Sequence, residues 1–370
     1  MKLNPFRIEH YYAKYEFTAK YMLSNSDAQS RTLGELLALE PGAREAFDDH
    51  WLGYTEAPGA PYLREAITGI YKTVSSDDVL VLSSAEEGIF VAYHALVAVG
   101  DHVIVETPCY ESGLELARST GAEVSQWQRH FEDGWAHDLL ALEKLIQPNT
   151  KMIYINTPSN PTGINMIPEV FAAVMNLAKE RGIVVFCDEV YRELEHDPST
   201  RLPAACDAFE NAISLGSMSK SYGLPGLRLG WLATRNKSVI EKCLHFKYYT
   251  TICSSAPSEF LTALALRQRE TILARNLEIV QRNLPLMQAF LERHKDLFEW
   301  IKPNASPIGF PRVKIAGDVM NFCEEIVRET GVLLLPGGVY DQPRHVRMGY
   351  GRANMPEALE KLEAYLKRRD

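Results

Sequence analysis

Short apolar runs alternate with amphipathic stretches from about residue 78 to residue 215, and this alternation constrains the fold more than any other feature. Many residues in the short runs are β-branched, which favours strands over turns of buried helix. Strands are predicted at 79–82, 102–106, 151–156, 183–187 and 212–215, and helices at 85–99, after 110 and at 168–181. Nearly continuous apolar strands separated by helices are typical of a parallel sheet covered on both faces. The sequence therefore predicts an α/β fold, a mostly parallel sheet sandwiched by helices.

A chain of 370 residues is too long for one small core, so more than one domain is expected. After a long helix predicted over 271–295, the strands are fewer and lie between helices, which fits a smaller α+β domain. We expect a large domain over 46–270 and a small domain over 271–370. An N-terminal segment, 1–45, is expected to join the small domain.

Composition and charge exclude several classes of function. A net charge of −9 and a pI near 5.7 leave no basic excess for nucleic acid or an anionic membrane surface. No apolar run reaches the length of a membrane span, and the first residues lack the apolar core of a signal peptide. Six cysteines lie far apart without a CxxC pair, which predicts reduced thiols, a cytoplasmic location and no metal site.

Polar and aromatic residues follow the predicted strands, where the reactive groups of open parallel sheets gather. A helix that starts at Ala85 and Glu86 could bind phosphate through its free N–H groups, although Ser83 or Ser84 could simply cap it. Tyr110 follows the next strand and could stack on a planar ring.

Two further strand ends carry candidate groups. Asn160 lies in the loop 157–163, which two prolines and a glycine make rigid, so its amide could be a fixed donor. Asp188 follows an unbroken apolar run, where an unpaired carboxylate is costly to bury. Taken alone, Asp188 is read more simply as a loop or capping residue.

Lys220 lies in a stretch rich in serine and glycine, directly before another apolar run. A lysine at such a position is expensive to desolvate unless the protein uses it. The arrangement suits an amine that is unprotonated or bound as an imine, next to a phosphate site made by Ser217, Ser219 and Arg228. On this stretch alone, a solvated lysine in a surface loop is an equal alternative.

Four motifs in this order resemble those of the fold-type-I pyridoxal-phosphate (PLP) enzymes, and within them the class I/II aminotransferases. The motifs are Ser-Asn-Pro-Thr-Gly at 159–163, Asp-Glu-Val-Tyr at 188–191, Ser-x-Ser-Lys at 217–220 with Gly-Leu-Pro-Gly-Leu-Arg at 223–228, and Val-Arg at 346–347. Their spacing agrees with that family from about residue 50 onward. The resemblance implies PLP as cofactor and the PLP-transferase fold, with a large and a small domain.

The resemblance also implies roles for the residues around the reactive ring of PLP. Lys220 would form the imine with PLP and later move the Cα proton. Asp188 would keep the pyridine nitrogen protonated, and Tyr191 and Asn160 would hydrogen-bond the 3′ oxygen. Tyr110 would stack on the ring.

Phosphate and substrate contacts follow from the same resemblance. Ser217, Ser219, Arg228 and the helix start at Ala85 and Glu86 would hold the phosphate. Tyr54 resembles the tyrosine that reaches the neighbouring subunit's phosphate, which implies a homodimer with shared active sites. Arg347 would bind the substrate α-carboxylate with its two-pronged donor geometry, with Asn160 and Ser26 also contacting substrate.

Two departures from the family pattern concern the phosphate loop and the N-terminal segment. Ser84 stands where such enzymes usually have glycine, and the segment 24–30 lacks the glycine common there. With its aromatic opening helix, this segment resembles a subgroup that includes capreomycidine-synthase-like enzymes. Those enzymes use PLP to eliminate from and cyclise an arginine-derived substrate.

The favoured interpretation is a PLP-dependent aminotransferase that moves an amino group between an α-amino acid and a 2-oxo acid. A PLP-dependent lyase or cyclase is the alternative, because the same residues serve elimination and cyclisation. A non-catalytic ligand sensor is disfavoured, since we see no DNA-binding segment and no basic excess. A nicotinamide dehydrogenase is excluded because no GxGxxG follows a strand.

Overall fold

The computed structural model describes residues 2–369, which form fourteen α-helices and twelve strands. The helices are α1 Arg7–Tyr15, α2 Leu33–Leu37, α3 Ala43–Asp48, α4 Pro61–Thr68, α5 Ala85–Leu96, α6 Glu111–Ser119, α7 Leu139–Leu145, α8 Pro168–Arg181, α9 Ala205–Ala208, α10 Lys237–Lys247, α11 Ala256–Arg267, α12 Arg269–Arg293, α13 Val319–Thr330 and α14 Met355–Arg369. The strands are β1 Val79–Leu82, β2 His102–Thr107, β3 Glu123–Gln128, β4 Thr150–Asn156, β5 Val184–Asp188, β6 Ala212–Ser217, β7 Gly230–Ala233, β8 Phe298–Glu299, β9 Ile308–Gly309, β10 Arg312–Val313, β11 Leu335–Pro336 and β12 Val346–Gly349.

The central sheet has seven strands in the order β1-β7-β6-β5-β4-β2-β3. The five strands from β6 to β3 in this order are parallel, and β7 runs antiparallel to both β6 and β1. Helices from both sides pack onto the sheet in three separate apolar clusters. The predicted fold, a mostly parallel sheet sandwiched by helices, is confirmed.

The sequence did not predict β3, and it placed the end of α5 too late. Only Trp127 of β3 is buried, because the strand lies at the edge of the sheet and carries mostly polar residues. The helix predicted over 85–99 ends at Leu96, because Val97 already has an extended backbone.

Small antiparallel pairings occupy the C-terminal part, where β12 lies between β11 and β9 and β10 pairs with β8. Residues of α1 are buried together with α12–α14, and Tyr21 pairs with Val332. By contrast, Leu36 and Leu37 of α2 are buried with Leu63 on the β1 side of the large sheet. The division of the chain into 1–45, 46–270 and 271–370 stays a prediction.

Within residues 2–369, no helix combines the length and the apolarity that are needed to cross a lipid bilayer.

Candidate active site

A cavity of about 670 Å³ opens where β4, β5 and β6 end at Asn156, Asp188 and Ser217. Side chains from α1, the loop 25–27 and β12 close its other sides. Twelve of the thirteen residues that the sequence predicted for the site line this cavity: Ser26, Ala85, Glu86, Tyr110, Asn160, Asp188, Tyr191, Ser217, Ser219, Lys220, Arg228 and Arg347. The structure thus brings together residues that are more than 300 positions apart, although their individual roles stay predictions.

Lys220 follows β6 and directs its amine toward the N-terminal segment. Its Nζ donates a hydrogen bond to Ser26 Oγ at 2.9 Å. Burial lowers the pKa of the lysine, while the nearby Asp27 carboxylate opposes that shift. Gly223 permits the close approach of the two segments, since its φ is 67° and a Cβ there would lie 2.8 Å from Gln29 O. This shift favours the neutral amine, which is the form that a nucleophile requires.

Asp188 ends β5, beside the strand that leads to Lys220, and is almost fully buried. Its carboxylate accepts hydrogen bonds from Tyr154 OH at 3.1 Å and from the Val190 N–H at 3.2 Å. Burial raises the pKa of Asp188 to about 6. Among the described residues, no lysine, arginine or histidine forms an ion pair with it, so this carboxylate suits a cationic N–H from a bound group.

Tyr191 is also buried, and its hydroxyl has no hydrogen-bond partner among residues 2–369. An unpaired buried hydroxyl that lines a cavity is costly, and a ligand oxygen would satisfy it. The hydroxyl therefore fits the 3′ oxygen predicted to lie there.

The predicted phosphate site is built where α5 begins beside the loop after β6. Ser84 caps α5 by accepting a hydrogen bond from the Glu87 N–H at 3.2 Å. Its φ of 170° is extended backbone that serine adopts readily, so the departure from glycine is accommodated. Ser217 Oγ lies 3.0 Å from Ser219 Oγ, and a Cβ on Gly230 would come within 2.7 Å of Ala85 N. Glycine at 230 therefore lets the helix start lie against the serine pair.

Glu86 contributes more than the backbone that the sequence predicted. Its carboxylate lines the cavity and accepts a hydrogen bond from the Ser112 hydroxyl. Burial raises the pKa of Glu86 to about 7. The neutral acid is therefore favoured more than it is for an exposed glutamate.

Arg347, on β12, is only 2% exposed, and protein acceptors hold its guanidinium. Nη1 donates to Asn160 Oδ1 at 3.0 Å and to the Tyr340 hydroxyl. Nη2 donates to Tyr12 OH at 2.7 Å and to Ser24 O at 2.9 Å. These bonds fix the plane of the guanidinium before any substrate carboxylate binds.

Sequence reasoning missed the contribution of α1 and the residues around it. Glu9, Tyr12 and Glu16 line the cavity, and Glu9 also accepts a hydrogen bond from Tyr110 OH at 3.1 Å. Asp27 lines it too and pairs with Arg352 at 2.7 Å. The aromatic character of the opening helix was visible in the sequence, but nothing local indicated that its polar side chains face the site.

Tyr54 is the one predicted site residue outside the cavity. Its side chain is 88% exposed, and the role predicted for it requires a second subunit. Its contact with a neighbouring phosphate stays a prediction. No group of three or more metal-ligating side chains occurs within residues 2–369.

Comparison with curated proteins finds relatives of two kinds. The chain is 28% identical to the capreomycidine synthase of Streptomyces vinaceus over 90% of this chain and 86% of that protein. It is 29% identical to the aspartate aminotransferase of Thermotoga maritima over 85% of this chain and 84% of that protein.

Two solved structures superpose on the whole chain. A PLP-dependent aminotransferase from Streptococcus suis has a TM-score of 0.94 and 31% identity, and covers 100% of this chain and 99% of its own. The PLP-dependent cyclase OrfR has a TM-score of 0.92 and 25% identity over the same shares of the two chains. The family model described as aminotransferase class I and II matches residues 30–362. Because this model matches most of its length and the whole chain superposes on such a structure, the chain belongs to the class I and II aminotransferase family.

Proposed function

We propose that this chain is a PLP-dependent aminotransferase that moves an amino group between an α-amino acid and a 2-oxo acid. The observation that carries the proposal is that Lys220, Asp188 and Arg347 line one cavity, supplied by two neighbouring strands and by β12. An amine, a buried acid and a carboxylate-binding guanidinium are the three groups that the reaction requires.

The cofactor is PLP, which supplies an aldehyde and an electron-accepting ring when bound. Asp188 would hold the proton on the ring nitrogen, and the unpaired Tyr191 hydroxyl would donate to the 3′ oxygen. The serine pair and the start of α5 would hold the phosphate, since N–H groups and hydroxyls there are free to donate.

Lys220 would remove the proton from the substrate Cα and then deliver it to the aldehyde carbon of the cofactor. Burial lowers the pKa of this amine, which favours the neutral form that a base requires. Arg347 would hold the α-carboxylate, and the hydrogen bonds from Arg347 to Asn160 and Tyr12 would keep its orientation fixed during the proton transfer.

A second candidate is a PLP-dependent cyclase or lyase that acts on an amino acid with a cationic side chain. The names of two relatives, capreomycidine synthase and the cyclase OrfR, support it. So does the charge of the cavity beside Lys220, where Glu9 and Glu16 present carboxylates in addition to Asp27, which pairs with Arg352. Burial and the two neighbouring carboxylates raise the pKa of Glu16. A positive substrate group bound there would stabilise the ionised carboxylates.

A panel of single amino acids, followed by cofactor absorbance, separates the two candidates. For a transaminase we expect one amino acid to convert the absorbance to that of pyridoxamine phosphate, with one keto acid formed per site. A cyclase or lyase would return to the starting absorbance and accumulate a cyclic product or ammonia. No spectral response to acidic, aromatic, basic or small amino acids would contradict both candidates.

We propose a homodimer as the working form, formed through an exposed apolar face. The face consists of Trp51, Leu52, Tyr54, Tyr249 and Ile252, all more than half exposed. A hydrogen bond from Thr55 Oγ1 to Ser254 O ties its two segments together. An exposed apolar patch of this kind is typical of an interface, and a second copy would place Tyr54 near a neighbouring site.

Tyr249→Asp is expected to convert the dimer to a monomer, because a carboxylate in an apolar interface is costly to desolvate. Size-exclusion chromatography with light scattering measures the change. Leu140→Asp is the matched control, since Leu140 is also exposed but lies on α7, beside the opposite edge strand β3. A Tyr249→Asp protein that stays dimeric, or a Leu140→Asp protein that dissociates, would refute this face.

We also propose that the protein works in the reducing cytoplasm. All six cysteines are free thiols, and five of them are buried. Unpaired thiols are typical of proteins that are kept reduced.

A further inference from the structure

Two buried charged side chains and a histidine form a cluster under the loop that carries Asn160, outside the residues that line the cavity. It consists of Glu106 on β2, Arg129 directly after β3, and His137. Glu106 Oε1 lies 2.9 Å from Arg129 Nε and 2.9 Å from His137 Nε2. The Arg129 Nε–H does not point at this oxygen, so the contact is an ion pair without an aligned hydrogen bond. Burying such charges is costly before they pair, so a buried ion pair at this place suggests that it has a role.

The carboxylate of Glu106 supports Asn156, which in turn holds Asn160 and Asp188. Its Oε2 accepts a hydrogen bond from the Asn156 N–H at 2.9 Å. Asn156 Oδ1 in turn accepts from the Asn160 N–H at 2.7 Å, and Asn156 Nδ2 donates to Asp188 O at 3.0 Å. One anion therefore fixes the strand end from which Asn160 and Asp188 are both held.

The guanidinium of Arg129 reaches the same loop by a second route. Its Nη2 donates to Ser159 Oγ at 2.5 Å, directly before Asn160. Asn160 Oδ1 then accepts hydrogen bonds from Arg347 Nη1 and Tyr340 OH, both at 3.0 Å. The loop and the carboxylate-binding guanidinium are thus linked to the buried pair by hydrogen bonds and the peptide that joins Ser159 to Asn160.

We propose that Glu106 and Arg129 are positioning residues, which set the place of Asn160 and, through it, the orientation of Arg347. Neither residue lines the cavity, so Arg129 acts through the loop and Glu106 acts through Asn156. The inference rests on the proposed function, because Asn160 is there a donor to the cofactor and a support for the substrate-binding arginine.

Electrostatics explains why both charges are needed. Burial alone would raise the pKa of Glu106, but Arg129 and His137 hold it below its usual value. His137 is kept neutral because burial lowers its pKa, so Arg129 supplies the permanent positive charge. Without Arg129, Glu106 would keep only its contact with the neutral His137, and a carboxylate buried without a cation would take up a proton. The loop would then lose both its hydrogen bond from Arg129 to Ser159 and the negative charge of Glu106 beside Asn156.

The test is Arg129→Met, measured on the cofactor-loaded protein by two spectroscopic titrations. The first is a pH titration of the visible absorbance of the Lys220-bound cofactor, whose pKa depends on the donor at the 3′ oxygen. We expect this pKa to move toward the value of the Asn160→Ala protein. The second is an amino-acid titration of the same absorbance, in which the dissociation constant should rise about 10- to 100-fold, as misplacement of a binding group predicts.

The matched control is His102→Leu, since His102 is a fully buried polar residue at the other end of the same strand as Glu106. It should lower the melting temperature while leaving both titrations unchanged. Ser159→Ala, which removes only one bond to Arg129, serves if Arg129→Met does not fold, and should move both titrations in the same direction by a smaller amount.

Unchanged titrations in folded Arg129→Met or Ser159→Ala protein, or equal shifts in His102→Leu, would overturn the inference. This result differs from failure of the proposed function, in which the wild-type protein itself would show no visible absorbance with PLP and no response to amino acids.

Discussion

Lys220→Ala is expected to abolish the visible absorbance of bound PLP and to reduce activity by at least about 10⁴-fold, the upper range for a lost acid–base group. The effect is large because one amine has two tasks, to hold the cofactor and to move the Cα proton. The structure offers no substitute within the described residues of the cavity, where Lys220 is the single lysine. Absorbance spectra and single-turnover assays with the responsive amino acid measure both losses.

A second buried lysine supplies the control for this assignment. Lys247 is fully buried, but its Nζ donates to Ala57 O and Val81 O and lies outside the cavity. Borohydride reduction of the wild-type holoenzyme, followed by peptide mapping, should label the peptide with Lys220 and leave that with Lys247 unmodified. Labelling at Lys247, or a reducible chromophore in Lys220→Ala, would show that the assignment is wrong.

Asp188→Asn is expected to have opposite effects on activity and on stability. The rate should fall about 10²- to 10⁴-fold, because an amide cannot hold the proton on the ring nitrogen. The cofactor-free protein should become more stable at pH 8, because the buried carboxylate no longer has to ionise. Its Tyr154 contact survives, since a hydroxyl can turn to accept from an amide.

The pH dependence of this stabilisation follows from the raised pKa of Asp188, about 6 against an ordinary value of 3.8. Well below pH 3.8 the acid is neutral in both the folded and the unfolded chain, so the substitution should have little effect. As the pH rises through 4 to 6, the unfolded chain ionises first and the wild-type protein loses stability. Above pH 6 the loss is complete, and two pKa units correspond to about 3 kcal/mol, which is the upper bound of the expected gain.

Denaturant unfolding of the cofactor-free proteins at pH 4.5 and pH 8 measures the difference. Asp78→Asn is the control of opposite sign, because Lys237 at 2.7 Å and Ser75 lower the pKa of Asp78. That substitution should destabilise the protein at pH 8. A destabilised Asp188→Asn protein at pH 8 would mean that the acid is already paired in the absence of cofactor.

The sequence predicted the sheet and the floor of the site because both depend on local patterns. Asp188 and Lys220 each follow an apolar strand, and parallel strands in register bring such ends together. β3 was missed because it is an edge strand with a single buried residue, so its sequence shows no apolar periodicity.

The substrate side of the cavity could not be predicted from local patterns. Glu9 and Tyr12 belong to an ordinary amphipathic helix and Glu16 directly follows it, and only the packing of this helix against residues of the C-terminal part turns these side chains toward Lys220. Tyr340 likewise meets Asn160 across 180 positions of sequence. Long-range pairs of single polar residues leave no periodic signal, so only the tertiary structure shows them.

The hydrogen bond between Tyr12 and Arg347 also has a consequence for synthesis on the ribosome. The helix that carries Tyr12 is made early, yet its partner on β12 is added 335 residues later. Until α12–α14 have been made, the apolar side of α1 lacks its native neighbours. The side of the cavity that β12 closes is open until then. Translation must therefore pass residue 347 before a nascent chain can enclose its cofactor. A chain that stalls earlier exposes apolar surface that is prone to aggregation.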